Sequence, residues 1–407
     1  MKKLISFLLV AVMVLSMTAC GTEATTADES VKIGVILVGD ENEGYTYSHI
    51  EGIQQAAAAV GIPEENIIWK YSVPEDESCY EAAVDLVDQG CTAIFSNSYG
   101  HQSFVQQAAG DYPEVQFVAM TGDTAANSGL SNFSNAFTSV YESRYVSGIV
   151  AGLKVAELVD AGVLADENFD ADGNVKIGYV GAYPYAEVVS GYTAFFLGIK
   201  SVYENVSMEV TYTNSWFDIA AEGEAANSLM ADGCVIIGQH ADSTGAPTAV
   251  EAALTAGKVA YSVGYNVDMT SVAPTAALTS ASNNWSVYYT EAFQAVLNGE
   301  KIPTNWAKGY ADNAVAITAL GASCAEGTQE NVDAAIAAIK DGSLHVFDVN
   351  AFTVGGEHLS TYLVDMDGDF EDDDEEAIWD GYFHESELRA APSFDIRIDG
   401  ITELSAE

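Results

Sequence analysis

VKIGVILV (residues 31–38) and VKIGYVGA (residues 175–182) are two apolar stretches, rich in β-branched residues, that open with the same four letters. Uninterrupted apolar runs of this length are typical of parallel strands buried on both faces. Helical and strand-like patterns alternate after each stretch, which predicts right-handed βαβ units and a parallel sheet in each half. Two α/β halves in one chain predict two lobes with a cleft between them.

The composition agrees with this organisation. The chain has 407 residues, of which 49% are hydrophobic, enough for two lobes of about 150 residues each with a core in each one. Only 14 residues are Lys or Arg against 60 Asp or Glu, and the formal net charge is −46. Nucleic-acid binding and a polybasic hold on anionic lipid both need clustered cations, so both functions are excluded.

The first twenty residues, MKKLISFLLVAVMVLSMTAC, have the pattern of a secretory signal peptide, with two lysines before a short apolar run. The end of this stretch resembles a bacterial lipoprotein cleavage site, which makes Cys20 the lipid-bearing residue. An ordinary secretory leader is the alternative. Residues 21–30 are small and polar and predict a flexible tether. We therefore expect a protein outside the cytoplasm that touches the membrane only through its lipid.

The other cysteines are too few for a disulfide framework, and none forms a CxxC pair. A bridge between Cys79 and Cys91 is possible, and the sequence leaves it open. No HExxH, GxSxG or phosphate-loop motif is present, so we expect no enzyme and no cofactor. His240 lies beside Asp242 and is either a base with its orienting carboxylate or a hydrogen-bonding group for ligand or backbone.

The last part of the chain, from about 345 to 407, predicts antiparallel strands around an acidic insertion at 365–376. Four of its carboxylates fit positions one, three, five and twelve of a calcium-loop template: Asp365, Asp367, Asp369 and Glu376. Phe370 occupies the sixth position, where the turn requires glycine. We therefore expect a solvated acidic hairpin tip and no metal.

Aromatic and polar side chains are concentrated where the predicted strands end. Ligands of open α/β sheets bind at the carboxyl ends of the strands, so these side chains are candidate ligand contacts. The rings suit stacking on a planar heterocycle and the polar groups suit fixing its orientation, although core packing is the alternative for any single ring. The candidates are Tyr45, Tyr99, Tyr183, Trp216, Asp242, Asn266 and Asn283.

Seven stretches carry a family resemblance: GYTYSHIEG (44–52), YESRYVSGIVAG (141–152), GAYPYAEVVSG (181–191), TNSWFD (213–218), GQHADS (238–243), NWSVYYTEAF (284–293) and ESELRAAPSFDIRIDGI (385–401). Their order and spacing resemble the basic membrane protein family of bacterial lipoproteins, which includes purine- and nucleoside-binding components of ABC importers. The resemblance implies a two-lobed periplasmic-binding-protein type I fold in a monomer that works with permease and ATPase subunits. It assigns residues 31–138 and about 279–303 to lobe 1, and residues 139–278 and about 304–407 to lobe 2.

The resemblance also implies roles for individual residues. Tyr45 and Trp216 occupy the positions of the two rings that stack on a purine, and Thr46 and Trp285 lie in matching motifs. Asn266 and Asn283 occupy the positions of an Asp and a Lys that hold the ribose in nucleoside-binding members. Neutral amides are weaker anchors for a sugar than charged groups, which favours a free base over a nucleoside.

Three further positions have separate interpretations. The family's aspartate after the fourth strand is missing, because Thr121-Gly122 stand near its place. Glu187 either accepts a base N–H or only starts a helix, where the macrodipole favours a carboxylate. Arg144, near Glu142, is expected to be a structural ion-pair partner or a hinge clamp and not a ligand contact.

Three other functions stay open from the sequence. A sugar is the nearest alternative ligand, because aromatic rings stack on sugars as well as on purines. A surface lipoprotein that senses a ligand or adheres without transport is a second alternative. A purine nucleosidase is the most distant one.

Overall fold

The described chain, taken from a computed structural model, covers residues 31–369 and 374–404. The predicted signal peptide, Cys20 and the tether lie outside it. No helix among the described residues combines the length and apolar character needed to cross a membrane. The cysteines of this part of the chain, Cys79, Cys91, Cys234 and Cys324, are all free thiols. The open question of a Cys79–Cys91 bridge is thus answered by two separate buried thiols.

The first sheet has six parallel strands in the spatial order β11-β5-β4-β3-β1-β2. Its strands are β1 (Ile33–Ile36), β2 (Ile67–Lys70), β3 (Ala93–Ser96), β4 (Gln116–Met120), β5 (Phe133–Thr138) and β11 (Asn305–Lys308). All four residues of β1 and all four of β3 are buried, as the apolar run at 31–38 predicted. This sheet and its helices form lobe 1.

The second sheet has seven strands in the order β12-β10-β9-β8-β6-β7-β17, and every neighbouring pair is parallel except β10 with β12. Its strands are β6 (Val175–Gly181), β7 (Val206–Tyr212), β8 (Ile236–Gln239), β9 (Tyr261–Tyr265), β10 (Ala277–Asn283), β12 (Val315–Ile317) and β17 (Ile401–Glu403). This sheet and its helices form lobe 2. Parallel α/β sheets with flanking helices in both lobes confirm the predicted fold class.

Helices alternate with the strands and cover the sheets, as the alternating patterns predicted. They are α1 (Gly44–Val60), α2 (Glu77–Asp88), α3 (Gln102–Asp111), α4 (Val140–Asp160), α5 (Ala186–Lys200), α6 (Ile219–Ala231), α7 (Gly245–Thr255), α8 (Trp285–Leu297) and α9 (Thr328–Lys340). Aspartate caps fix two of the starts, since Asp76 accepts from the backbone N–H of Ser78 and Asp218 accepts from that of Ala220. α1 begins at Gly44, which places Tyr45 in its first turn.

The strand pairing differs from the expected lobe boundaries. β10 pairs with β9 and therefore lies in lobe 2, although about 279–303 was expected in lobe 1. β11 pairs with β5 and lies in lobe 1, although the chain from 304 onward was expected in lobe 2. The chain crosses between the lobes after β10 ends and again after β11 ends. The predicted limits lie earlier, since the one at 279 falls inside β10 and the one at 304 falls just before β11.

The region after α9 packs mainly on lobe 2. Two short antiparallel pairs, β13 (Leu363–Val364) with β14 (Glu375–Glu376) and β15 (Ile378–Trp379) with β16 (Tyr382–Phe383), agree with the predicted hairpin. The stretch FDIRIDG (394–400) was expected to be antiparallel, but it forms no strand. The chain instead reaches the edge of the second sheet, where β17 pairs with β7 in parallel.

Candidate ligand-binding site

A cavity lies where the carboxyl ends of the two sheets face each other, and we call it the central cavity. Lobe 1 contributes Val38, Glu43, Tyr45, Asn97, Ser98, Tyr99 and Thr121, and lobe 2 contributes Glu187, Trp216, His240, Asp242 and Tyr265. Five of the ten predicted contact residues therefore line it.

Tyr45 forms a wall of the cavity from lobe 1. Its hydroxyl donates to the backbone oxygen of Asn97 over 2.6 Å, and its ring meets His49 edge-on with centroids 4.5 Å apart. Burial raises the pKa of the Tyr45 phenol well above its usual value. The ring is thus held in place by a neutral hydroxyl, which leaves a fixed apolar face for a ligand.

Trp216 forms the corresponding wall from lobe 2. The Tyr183 ring meets it edge-on at 5.1 Å, and Tyr183 itself stacks on Tyr185 at 5.2 Å. Tyr183 lines an adjoining groove together with Trp216 instead of the central cavity. Tyr185 also approaches Tyr99 of lobe 1 at 6.1 Å, so aromatic contacts cross between the lobes.

Thr46 stands behind the polar side of lobe 1. Its hydroxyl donates to Glu43 and accepts from Nδ2 of Asn97 at 3.1 Å. The Asn97 Oδ1 accepts from the backbone N–H of Val38 at 2.8 Å, so every polar atom of this amide is oriented by the protein. Thr46 is thus placed to position Glu43 and Asn97, and it does not line the cavity itself.

Asp242 begins a chain of buried amides. Nδ2 of Asn266 donates to its Oδ1 at 2.9 Å, and Nδ2 of Asn283 donates to Oδ1 of Asn266 at 2.8 Å. Thr138 of lobe 1 donates to Oδ1 of Asn283 at 2.5 Å. Asn266 and Asn283 line a separate pocket with Trp285 rather than the central cavity. Of these hydrogen-bonded side chains, only Asp242 lines the central cavity.

The surroundings of Asp242 disfavour the charged form of its carboxyl group. Burial, together with the carboxylates of Glu43, Glu222 and Glu187, raises the pKa of Asp242 well above its usual value, while Arg144 lowers it. Glu43 belongs to lobe 1 and Asp242 to lobe 2. These surroundings, drawn from both lobes, therefore favour the protonated form of Asp242.

Trp285 lies one layer below the cavity. It is 1% exposed and stacks on His49 with centroids 4.2 Å apart. Its ring meets Tyr45 edge-on at 6.3 Å. Trp285 therefore supports Tyr45 from behind and has no face toward the central cavity.

Glu187 and His240 form the polar side of lobe 2. Glu187 lies in the first turn of α5 and also lines the central cavity. Its position is therefore compatible both with accepting a base N–H and with stabilising the start of the helix. Its Oε1 lies 3.1 Å from Nε2 of His240. Burial and Arg144 lower the pKa of His240 to about 4, so the ring is neutral at pH 7 and Nε2–H donates to Glu187. His240 is thus paired with Glu187, and Asp242 is not its orienting group.

Arg144 is buried and makes no ligand-facing contact. Its guanidinium carbon lies 3.7 Å from the centre of the Tyr265 ring, and Nη1 donates to the backbone oxygen of Gln239 at 2.5 Å. Glu142 instead accepts from the backbone N–H of Tyr310. The ion-pair alternative for Arg144 is wrong for the described residues, because the nearby acid is used to hold another loop. The hinge-clamp alternative stays a prediction.

The loop after β4 carries a carboxylate two residues beyond the place of the missing family aspartate. Thr121 has φ of +62° and lines the cavity. Asp123, two residues later, accepts from the Tyr99 hydroxyl at 3.2 Å and from Nε2 of Gln102 at 2.8 Å. A carboxylate is thus present near this place, but it holds Tyr99 instead of lining the central cavity.

Carboxylates of the acidic insertion accept hydrogen bonds from nearby backbone N–H groups. Asp365, Asp367 and Asp369 lie close together, and residues 370–373 are outside the described chain. Glu376, the twelfth position of the calcium template, accepts from Thr361 and from the backbone N–H groups of Tyr362 and Ile378. Both Glu376 oxygens are therefore occupied by the protein.

Several cavity residues were absent from the predicted set: Glu43, Asn97, Ser98, Thr121 and Tyr265. Asn97 and Ser98 directly follow β3 and Tyr265 ends β9, so their position at strand ends was a usable signal. Glu43 gave no such signal, because it is the residue that precedes α1 and does not directly follow a strand.

Two parallel-sheet lobes with a cavity at their carboxyl edges are the architecture of solved solute-binding proteins of ABC transporters. A solved solute-binding protein of an ABC transporter system from Aeropyrum pernix is similar in fold, with a TM-score of 0.64 at 15% identity over 81% of this chain and 94% of that one. This similarity concerns the fold alone.

The family follows from sequence. The profile of the Bmp family, ABC transporter substrate-binding protein PnrA-like, matches residues 30–331, and the chain belongs to this family. A purine-binding protein of Brucella abortus is 32% identical over 277 residues, which are 68% of this chain and 71% of the relative. A Haloferax volcanii protein, provisionally named the glucose-binding protein of an ABC transporter, is 29% identical over 67% of this chain and 62% of its own length. The predicted family is confirmed.

Proteins of this family are ABC transporter substrate-binding proteins, which bind small molecules outside the cytoplasm and work with permease and ATPase subunits. They are binding proteins and not enzymes. The particular ligand of this chain is a separate matter, which its own side chains must decide.

Proposed function

We propose that this protein captures a purine in the central cavity and delivers it to an ABC permease. The observation that carries the proposal is the pair Tyr45 and Trp216, which line one cavity from opposite lobes. Closure of the lobes brings two flat apolar faces to a planar ligand, and rings stack on heterocycles at little entropic cost. The 32% identity to a purine-binding protein supports the same ligand class.

Within this class, a free base is favoured over a nucleoside. Asn266 and Asn283 stand where nucleoside-binding relatives are expected to hold the ribose. Both amides are engaged with each other, with Asp242 and with Thr138. A sugar on that side gains no free charged partner, and it displaces hydrogen bonds that already exist.

The rest of the proposal concerns the setting of the protein. It acts as a monomer, performs no chemistry on its ligand, and is held to the membrane by a lipid on Cys20.

Calorimetric titration of the chain without residues 1–20, which keeps every described residue, tests the proposal. The ligands are adenine, guanine, hypoxanthine and xanthine, followed by their nucleosides, after bound ligand has been removed by unfolding and refolding. We expect micromolar or tighter binding of at least one base. The Trp216→Ala variant is expected to lose about 10- to 100-fold in affinity, while Trp216→Phe keeps most of it.

Tight binding of nucleosides with no binding of bases would keep the purine class and reject the preference for a base. Release of free hypoxanthine from inosine would contradict the absence of chemistry. Failure of every base and nucleoside to bind would reject the purine proposal.

A sugar is the second candidate, and the Haloferax relative is the observation that favours it. Stacking on Tyr45 and Trp216 together with the carboxylates of Glu43 and Glu187 suits a pyranose as well. Titration with glucose and ribose in the same experiment separates the two candidates.

A further inference from the structure

A series of hydrogen-bonded polar side chains runs from the lobe crossings to the central cavity, and we call it the polar relay. Its members are Thr138, Asn283, Asn266 and Asp242. Thr138 ends β5 in lobe 1, and Asn283 ends β10 in lobe 2. The helix that follows each of these strands, α4 or α8, packs in the opposite lobe. The relay therefore begins where the polypeptide crosses between the lobes.

All four residues of the polar relay are buried, and none is more than 8% exposed. Solvent is therefore a poor substitute for a missing partner, and an unpaired polar group in such a place is costly. The orientation of each amide is thus decided by its neighbours in the protein.

The hydrogen bonds of the polar relay all run in one direction. The Thr138 hydroxyl donates to Oδ1 of Asn283 at 2.5 Å, and Nδ2 of Asn283 donates to Oδ1 of Asn266 at 2.8 Å. Nδ2 of Asn266 then donates to Oδ1 of Asp242 at 2.9 Å. Turning one amide over would set two donors or two acceptors against each other. The Thr138 hydroxyl thus fixes the orientation of both amides.

This direction decides which oxygen of Asp242 is left for a ligand. Oδ1 is taken by Asn266, whereas Oδ2 makes no hydrogen bond within the described part of the chain, and Asp242 lines the central cavity. The carbonyl oxygen of a carboxylic acid accepts hydrogen bonds better than its hydroxyl oxygen. A proton on Asp242 is therefore placed on Oδ2 and not on the oxygen that faces Asn266.

The surroundings of Asp242 keep this proton bound. Burial raises the pKa of Asp242 well above its usual value, and the carboxylates of Glu43, Glu222 and Glu187 raise it further, against the opposing charge of Arg144. The relay and the surrounding charges thus lead to the same result, which is an O–H group of Asp242 at the wall of the central cavity.

We propose that Asp242 donates a hydrogen bond from Oδ2 to an acceptor atom of the bound purine, and that Thr138 and Asn283 are positioning residues for this contact. The ligand atom that faces Asp242 is then an unprotonated ring nitrogen or a carbonyl oxygen, which are acceptors found in purine bases. An ionised Asp242 would instead require an N–H or O–H group of the ligand. This inference rests on the proposed function.

Asp242→Asn and Asp242→Ala separate the two roles of this side chain. Asparagine keeps an oxygen for Asn266 and offers an N–H in place of the Oδ2 hydroxyl, whereas alanine offers neither group. Calorimetric titration of the chain without residues 1–20 uses adenine, guanine, hypoxanthine and xanthine as probes. For the base that the wild type binds most tightly, we expect Asp242→Asn to bind within about threefold of the wild type and Asp242→Ala to lose about tenfold or more. A larger loss in Asp242→Asn, or an affinity of Asp242→Ala close to that of the wild type, would overturn the donor role.

Thr138 tests the positioning role from outside the central cavity, which it does not line. Thr138→Val keeps the shape of the side chain and removes the hydroxyl. Oδ1 of Asn283 then has no donor, so both amides can turn over and leave Oδ2 of Asp242 as an acceptor. We expect the affinity for the same base to fall by about 3- to 10-fold in Thr138→Val. Thr138→Ser, which keeps the hydroxyl, is expected to bind within about twofold of the wild type.

Thr193→Val is the matched control, because Thr193 is fully buried in α5 and its hydroxyl has no hydrogen-bond partner among the described residues. Its affinity is expected to equal that of the wild type. An unchanged affinity in Thr138→Val would overturn the positioning role and leave purine capture intact. So would a loss of the same size in Thr138→Ser or in Thr193→Val. Failure of the wild type to bind any base or nucleoside would instead reject the proposed function.

Discussion

Asn266 donates from Nδ2 to Oδ1 of Asp242 over 2.9 Å, and both side chains are almost fully buried. The contact needs an amide, because a second carboxylate in this place has no proton to donate. Asn266 also has φ of +62°, a conformation that Asn and Asp adopt more readily than other side chains. The asparagine thus satisfies the backbone and the buried acid at once.

Asn266→Asp tests this pairing. Two buried carboxyls then face each other, and we expect a loss of about 2–4 kcal/mol in the free energy of unfolding at pH 8. The loss is expected to be smaller at pH 5, where one proton shared by the pair removes the repulsion. Urea denaturation at both pH values measures it. Asn227→Asp, at an exposed position inside α6, is the control and is expected to change stability by less than about 0.5 kcal/mol. Equal effects of both variants would contradict the pairing.

The crossing of α4 and α5 depends on glycine. A Cβ on Gly198 would lie 2.0 Å from the backbone oxygen of Tyr145, and one on Gly148 would lie 2.1 Å from that of Phe195. Backbone atoms cannot turn aside as a side chain can. We expect Gly198→Ala to destabilise the protein by about 2–4 kcal/mol in thermal or urea unfolding.

Gly223, inside α6, is the matched control for the helix crossing. A Cβ there has its nearest neighbour 3.6 Å away, at the backbone oxygen of Gly245. Gly223→Ala is therefore expected to stabilise by about 0.5–1 kcal/mol through helix propensity. A destabilising Gly223→Ala, or a neutral Gly198→Ala, would show that steric contact is not what separates the two sites.

Glu222 gives a pH prediction. Burial raises the pKa of Glu222 from 4.5 to about 7, although the backbone N–H of Ser243 donates to it. A raised pKa means that the folded state holds its proton more tightly than the unfolded state. The stabilisation is complete below pH 4.5 and disappears as the pH rises through 7.

Glu222→Gln removes this titration and keeps one acceptor oxygen. Between pH 5 and pH 8, the stability of the variant relative to the wild type is expected to improve by about 1–3 kcal/mol. Urea unfolding at closely spaced pH values measures it. A constant difference between the two proteins across this range would show that Glu222 stays ionised in the folded state.

The sequence predicted the two lobes because buried parallel strands leave an uninterrupted apolar signal, as at 31–38 and 175–182. It also predicted Tyr45, Trp216 and Asp242 near the cleft, since strand ends converge at one edge of a sheet. The predicted lobe boundaries differ from the observed ones by about the length of a strand or less. β10 and β11 differ little in pattern, and only hydrogen-bond pairing assigns each to its sheet.

Other errors came from interactions distant in sequence. Asn266 and Asn283 follow strand ends like the cavity residues, but their amides are taken up by Asp242 and Thr138. The contact of Arg144 with Tyr265 joins residues 121 positions apart, and no local pattern reports it. Glu142 was the nearest acid in sequence and made an ion pair the simplest expectation.

The C-terminal region bridges the lobes through two amides. Nδ2 of Asn127 donates to the backbone oxygen of Asp367 at 3.0 Å, and Nδ2 of Asn305 donates to that of Leu388 at 3.2 Å. Both asparagines belong to lobe 1, while this region packs mainly on lobe 2. Each bond contributes about 0.5–1.5 kcal/mol, so losing both favours opening of the cleft. We expect the Asn127→Ala/Asn305→Ala double variant to show a larger radius of gyration by small-angle X-ray scattering without ligand.

Asn168→Ala is the control for the bridging amides, because Nδ2 of Asn168 donates to the backbone oxygen of Gly233 at 2.9 Å within lobe 2. It removes the same kind of bond without touching the cleft, and its radius of gyration is expected to match the wild type. If the double variant also matches the wild type while its stability falls, the two amides only fasten the C-terminal region to the surface. If the radius grows in the double variant alone, the C-terminal region holds the lobes together, and removing its contacts has to increase the rate at which ligand leaves the cavity.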